Sequence, residues 1–529
     1  MTRMKKKLSA KLILSLAFAL LFAAQGFAAG IGENENQSAE FVRMLNRNAS
    51  TDIDACYFNP AGLVYLKPGW HFHFSNQMIT DHRTVKDSSS LITDVAGKPL
   101  HEQNYKGKAQ TFIYPDLYAA YKKDDMAFYF MFSVIGAGAS AFFGNGLPVL
   151  DKVAVLLGSL DDNIRTGELL NIATDPDFIK KNIANIGEIK TASSIEGLSY
   201  YLNATVGTAY KINSIFSAAL GLRFVYDVEQ YKVKMRWLSL KAKGSDVNLV
   251  EGNPRYDPIN VELGGTGNSM GLILGFDIKP HKDVLIGLRG EYYTSMETKL
   301  KVTKLKAPLV EDMVSGLNNL GAGAIGNDVM ALATNFLKKG GISTKATIPP
   351  NLSMGVSYQA LEKLRLEASG IYYLNRLTDW GDDLMAALDG KERTKAESYG
   401  NGFGVGLGVE YQPIKNLKTS IGMTYSESGR DANSSNEIYI NLKTITIGTG
   451  ATYTLMDDID ITLAGMKVWH QNYIYDNSML KVNVPILGDN LLGENGQQML
   501  SESTWELAIG LTYRLPREPY GIQSKAFGS

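Results

Sequence analysis

The stretch Thr504-Trp505-Glu506-Leu507-Ala508-Ile509-Gly510-Leu511-Thr512-Tyr513-Arg514-Leu515 decides the fold. Successive side chains on a strand point to opposite sides, so Trp505, Leu507, Ile509, Leu511 and Tyr513 share one face. Glu506, Ala508, Gly510, Thr512 and Arg514 share the other. One face is greasy and the other small or polar. The pattern recurs where Phe216, Ala218, Leu220, Leu222, Phe224 and Tyr226 alternate with Ser217, Ala219, Gly221, Arg223 and Asp227, with Val225 the apolar exception. It recurs again where Phe403, Val405, Leu407, Val409 and Tyr411 alternate with Gly402, Gly404, Gly406 and Gly408. A soluble sandwich can produce one such ribbon. Many ribbons with a small-polar second face fit a closed barrel whose outside meets lipid.

The start of the chain agrees. Arg3, Lys5, Lys6, Lys7 and Lys11 precede an apolar stretch over 12–22, and Gly26 and Ala28 supply small residues before a cut at Ala29. Residues 1–28 therefore read as a secretory signal peptide, and no Cys at the cut suggests a lipid anchor. Net charge is −1 in 529 residues, which leaves no basic field for nucleic acid. Cys56 stands alone, so no internal disulfide can form. Mean hydropathy is −0.10, low for a helical membrane protein and ordinary for a barrel.

Candidate strands fall at 70–79, 111–122, 126–135, 198–212, 215–235, 269–278, 284–302, 351–359, 363–375, 402–412, 417–426, 439–455, 459–473 and 504–515. That is about 14, an even number as bacterial barrels of this kind require. Short turns at 123–125, 213–214, 280–281, 360–362, 413–415 and 457–458 alternate with long connections. This is the rhythm of periplasmic turns and extracellular loops, and it puts both chain ends on the periplasmic side. Tyr210, Tyr358, Tyr411, Tyr425, Tyr453 and Tyr513 at strand ends suit an aromatic girdle. The uncharged run 126–143 is long enough for a membrane helix, but its aromatic and β-branched residues with Gly136 and Gly138 favour a strand. Helical spacing in 149–190 and 308–338, with Leu309, Met313, Leu317 and Leu320, reads either as loop packing or as caps over the outer mouth.

Residues 29–69 carry no strand pattern and precede a barrel wide enough to leave an aqueous channel. They contain Arg47-Asn48-Ala49-Ser50-Thr51-Asp52 and then Tyr57-Phe58-Asn59-Pro60-Ala61-Gly62-Leu63. The Asn59-Pro60-Ala61-Gly62 motif just before the first strand resembles that of the FadL/TodX family of outer-membrane transporters of hydrophobic compounds. The resemblance extends over the mature chain, through the strand count and the Ile348-Pro349-Pro350-Asn351-Leu352 entry into a later strand. It implies an all-β, transmembrane antiparallel barrel of about 14 strands over 70–515. It also implies that 29–69 is an N-terminal hatch plugging the lumen. The polar tail 516–529 departs from the family, whose barrels usually end on an aromatic residue.

The resemblance further implies passive uptake of hydrophobic molecules, long-chain fatty acids above all, across the outer membrane of a diderm bacterium. Substrate would leave sideways through a kink in the third strand, where Gly136, Gly138 and Gly144 adjoin Phe142 and Phe143. Glycine is what a bulge or kink needs, though an ordinary Gly-rich strand end would read the same. The hatch around Asn59-Pro60-Ala61 is expected to rest against that strand. Partners on this reading are a fatty acid or hydrocarbon ligand, outer-membrane lipid and lipopolysaccharide, and the barrel insertion machinery.

Catalytic and cofactor chemistry is not expected. Gly321-Ala322-Gly323-Ala324-Ile325-Gly326 spells a dinucleotide fingerprint without a βαβ setting. His71 and His73 share a strand face but lack a third metal ligand, so they read as lumen-lining residues. Arg223, Arg289 and Arg365 on the inner face could hold a substrate carboxylate by paired hydrogen bonds, or be neutralised by Asp227, Glu291 and Glu367. Two other function classes remain open: a general porin for polar solutes, and a structural or adhesive surface barrel.

Overall fold

A computed structural model describes residues 38–88, 104–148, 186–309, 342–346, 348–378, 400–429, 443–476 and 497–516, with a few positions within 150–158 and 311–312. The signal sequence, the dinucleotide-like glycines, most of the two helical-looking connections and the tail beyond 516 lie outside the described residues.

The alternating ribbons form one antiparallel sheet. Its first half comprises β1 (Gly69–Asp87), β2 (Asn104–Lys123), β3 (Met126–Phe143), β4 (Ile186–Lys211), β5 (Phe216–Ala242), β6 (Ile259–His281), β7 (Val284–Tyr293) and β8 (Met296–Lys306). Then follow β9 (Ile342–Ala346), β10 (Asn351–Leu361), β11 (Leu364–Tyr373), β12 (Gly402–Ile414) and β13 (Leu417–Glu427). The chain closes with β14 (Thr444–Met456), β15 (Ile459–His470), β16 (Tyr473–Asp476) and β17 (Gln497–Pro516). Three of the walls are broken in two: β7 and β8 both pair with β6, β9 and β10 pair with β8 and β7, and β15 and β16 both pair with β17. Pro349 and Pro350, which lack an N–H, stand in the break before β10. Counted across the wall there are 14 strands. β1 pairs with β17 from Gly69↔Pro516 to Asp87↔Gln498, which closes the barrel and leaves no open edge in hydrocarbon.

The two faces are as the alternation dictates. Leu220, Leu222, Phe224 and Tyr226 are exposed on the outer wall, while Arg223, Val225 and Asp227 are buried within. The segment 126–143 is wholly strand, and among the described residues no helix is long and apolar enough to cross a membrane. The six short turns fall where the sequence puts them, at one end of the barrel.

Several strands run well past their expected ends on the other side, and the reason is physical. On β5 the outward positions are apolar up to Val228 and then become Gln230, Lys232, Lys234 and Arg236. The inward positions change the other way, from Ser217, Gly221 and Arg223 to the buried Tyr231, Val233, Met235 and Trp237. The strand leaves lipid for water, so its apolar face switches sides. On β6 the same inversion, with Asn260, Glu262, Thr266 and Asn268 outward, leaves 259–268 outside the expected strand. β3 likewise runs past its expected end at 135 and takes in Gly136 and Gly138.

Candidate functional site: the filled lumen and the gap in its wall

Residues 38–66 lie inside the barrel, packed against the inward faces of its strands. A four-residue helix, α1 (Ala39–Val42), begins at Ser38, whose hydroxyl accepts from the Phe41 N–H. It packs on β1, β14, β15 and β17. A second short helix, α2 (Ala55–Phe58), leads into a 3-10 turn over Pro60–Tyr65 that packs on β4, β5 and β6 across the barrel. Phe41, Ile53, Cys56, Phe58 and Leu63 join inward-facing Tyr118, Tyr129, Met131, Tyr201 and Val225 in one buried cluster.

The Asn59-Pro60-Ala61-Gly62 motif works as a docking turn. The Asn59 carboxamide nitrogen donates to Asp277 Oδ1 at 2.7 Å and to the Phe276 carbonyl at 3.1 Å, both on β6. Its oxygen accepts from the Ala61 N–H at 3.3 Å, capping the 3-10 turn, and Pro60 sits at the first turn position where no N–H is needed. The Ala61 carbonyl accepts from the Ser217 hydroxyl of β5. A side chain at Gly62 would strike the Ser50 carbonyl. The motif's hydrogen bonds go to β5 and β6, and both α2 and the 3-10 turn also touch β3.

A track of inward glycines receives the rest of the segment. A Cβ on Gly422 or Gly448 would collide with the carbonyls of Met44 and Val42, and one on Gly355 would meet the Ala49 backbone at 2.6 Å. The backbone of the segment lies against the backbone of the wall. Arg43 bonds Glu40 within the segment and Glu410 on the wall at 2.6 Å each, while Arg47 holds Asp54 within the segment at 2.5 Å. The inward phase of these glycines is visible in the alternation, but the backbone they receive is not.

The three candidate carboxylate binders are engaged with protein groups. Arg223 donates to Tyr293 at 2.7 Å and pairs with Glu291 at 3.1 Å; Arg289 pairs with Glu291 at 3.7 Å and donates to the Tyr57 carbonyl. Their guanidinium carbons stand 5.2 and 5.4 Å from the centre of the Tyr57 ring. Arg365 lies elsewhere, 3.3 Å from Glu410. His71 bonds the Lys67 carbonyl, and His73 bonds Thr512 at 2.8 Å. Among the described residues no group of three His, Cys, Asp or Glu could hold a metal. Cys56 is buried and free.

The ladder between β2 and β3 is interrupted. Their ladder runs from Lys123↔Met126 to Asp116↔Ser133, stops, and resumes at Ala109↔Ala141. Residues 110–115 and 134–140 are the two lips. The β3–β4 register slips at Val134/Gly136 and again at Gly138/Ala141, and the β1–β2 register slips at Gln77/Ile79. Pro115 cannot donate to a ladder, which marks the β2 lip. The Asn76 side chain substitutes for missing ladder bonds there, donating to the Phe112 carbonyl and accepting from the Tyr114 N–H, each at 3.0 Å. Phe112 and Ile113 are exposed, at 61% and 75%. At the upper margin Phe142 is exposed, Phe143 is buried over Gly107, and Gly144 lies just past the strand end. The β2 lip was missed in the sequence; Pro115 within an otherwise regular strand was the available signal.

No family model and no curated sequence relative matches the chain. Solved structures do. A FadL homologue from Pseudomonas aeruginosa is 14% identical with a TM-score of 0.56, over 90% of this chain and 98% of that one. A mutant of the monoaromatic hydrocarbon channel TodX is 13% identical with a TM-score of 0.51, over 91% of this chain and 100% of that one. Across nine-tenths of its length the chain has the fold of the FadL/TodX-type barrels.

Proposed function

We propose that this barrel takes up hydrophobic molecules passively across the outer membrane of a diderm bacterium, with residues 29–69 as a hatch and the β2–β3 gap as a sideways exit. Long-chain fatty acids or hydrocarbons are the substrates of this reading. The observation that carries it is the pairing gap, bordered by Phe112, Ile113, Gly136 and Phe142, in a barrel with 38–66 packed inside. An apolar solute gains about 25 cal/mol per Å² by staying out of water, so a path from lumen to lipid suits it better than a wet channel. The names of the structural neighbours, a FadL homologue and a monoaromatic hydrocarbon channel, support the same substrate class and a transport role rather than catalysis. Arg223 keeps one N–H group, Nη2, without a partner, and is the inward arginine proposed to meet a substrate carboxylate.

The test pairs two measurements on the purified full chain. Reconstituted in liposomes, it should speed the transfer of radiolabelled laurate or naphthalene; in planar bilayers, it should conduct ions poorly. Large steady ion conductance without transfer of either probe would establish a general porin instead. Neither activity would leave a structural or adhesive barrel.

A further inference from the structure

We infer that the outer face of β5, β6 and β8 above the lipid-facing band docks the phosphorylated head groups of outer-leaflet glycolipid, with Lys234, Arg236, Lys299 and Lys301 as the phosphate contacts. This rests on the outer-membrane reading of the barrel but not on what the barrel transports.

β5 has 27 residues, far more than the roughly 9–11 a strand needs to cross a bilayer. Its surplus carries the inversion described above, so the apolar outer surface ends at Val228 and the cations Lys232, Lys234 and Arg236 follow on the same side of the same strand. The outer face of β8 continues it, with exposed Lys299 and Lys301 following Glu297. This surface thus runs out of the hydrocarbon into the layer where lipid phosphates lie.

The charges are arranged unevenly. Register places Glu196, Lys232, Glu262 and Lys304 in one row across β4, β5, β6 and β8. That row neutralises itself, with Lys232–Glu196 at 3.4 Å and Lys304–Glu262 at 3.1 Å. The cations on either side of that row have no acid directly opposite them among the described residues. Lys234 opposes Ser194 and Asn260, and Arg236 opposes Ala192. Lys301 opposes Gly264, and Lys299 opposes Thr266. Among the described residues none of the four forms an ion pair. Lys299 and Lys301 are like charges two residues apart on one face, an arrangement that favours an external anion between them. A phosphate spanning Lys and Arg side chains supplies it by charge-assisted hydrogen bonds. The inner side of the same extension is occupied by buried Tyr231, Val233, Met235 and Trp237, so the surface is backed by a packed core.

The test uses the detergent-purified full chain and diphosphoryl lipid A, with binding read by native mass spectrometry and by titration. The parent should bind lipid A at least about tenfold more tightly than its dephosphorylated form, given a several-fold gain for each cation near an anionic surface. The combined Lys234→Gln, Arg236→Gln, Lys299→Gln and Lys301→Gln variant should lose that preference, as should either pair in part. Millimolar inorganic phosphate should not displace the lipid. Equal binding of both lipid forms by the parent, an undiminished preference in the folded variant, or displacement by phosphate alone would overturn the proposal. The comparison of the two lipids needs no variant, so it stands even where the fourfold change impairs folding. Lipid A selectivity in a protein that transfers neither laurate nor naphthalene would uphold this surface while removing the transport reading.

Discussion

The carboxamide of Asn59 donates to the Asp277 carboxylate at 2.7 Å, and this bond fastens the lumenal segment to β6. Both groups are buried, so removing either one leaves the other desolvated and short of this bond. Asn59→Ala should loosen the segment by about 1–3 kcal/mol. Asn59→Asp should do more, because it faces one carboxylate with another. Hydrogen exchange over 38–66 and channel openings in planar bilayers measure the effect. Unchanged protection in Asn59→Asp would show that the bond does not hold the segment.

A second prediction concerns the glycine track. Gly422→Val places a side chain where the Met44 carbonyl lies, and backbone cannot step aside as a flexible side chain can. Overpacking of this kind costs about 1–3 kcal/mol or more. Gly290→Ala is the control, since its Cβ would meet Leu352 at an ordinary 3.4 Å. Limited proteolysis should cut the segment in the first variant and spare it in the second. Equal protection in both would place the segment's footing elsewhere.

Tyr57 offers a third. It is buried between Arg223 and Arg289, which share Glu291. Each cation–π contact in such a setting contributes about 0.5–2 kcal/mol. Tyr57→Leu keeps most of the bulk and removes the ring, so it should raise opening frequency without unfolding the barrel. Glu291→Gln should disturb the site more, because it leaves two buried guanidinium groups with one fewer charge between them. Single-channel recording and the heat-dependent gel shift of the folded barrel separate these outcomes. A Glu291→Gln protein with parental gating would rule out the paired arginines as a latch.

The contrast between these residues shows what can be read in a sequence. The alternation of Phe216 to Tyr226 with Ser217 to Asp227 fixes wall, faces and register because it is local and has period 2. The bond from Asn59 to Asp277 spans 218 positions and leaves no local trace. Arg223, Arg289 and Arg365 were visible as inward cations, but not that the first two meet on Tyr57 while the third meets Glu410. Glycines at 406, 408, 422 and 448 were visible as small inward residues, yet their purpose depends on which backbone lies against them. The extension of β6 over 259–268 escaped notice because the apolar face changes sides at the membrane boundary.

Depth in the membrane gives a fourth prediction. Leu222 and Phe216 both face outward on β5, at 52% and 44% exposure, but Phe216 follows directly on a short turn and lies near the interface. Leu222→Arg should cost about 2–4 kcal/mol, and Phe216→Arg about 0–1 kcal/mol. Folding titrations into bilayers compare them. A cost at Phe216 equal to that at Leu222 would mean the apolar band sits lower on β5.

The last prediction concerns the gap. Between Asp116↔Ser133 and Ala109↔Ala141 the lips have no ladder to each other, so closing them requires filling space or restoring pairing. Gly136→Val places a branched side chain against the Tyr201 ring, where even a Cβ would approach within 2.7 Å. Combined with Gly138→Val, it adds β-branched bulk at both register slips of β3. Laurate or naphthalene transfer should fall sharply, while the gel shift of the folded barrel and its ion conductance stay near parental. Pro115→Val supplies the missing N–H on the opposite lip and should act in the same direction through pairing rather than bulk. Two changes on different strands that share no contact are unlike in every respect except the opening between them. Loss of transfer in both therefore locates the path, and full transfer in two correctly folded variants would send the substrate down the barrel axis instead.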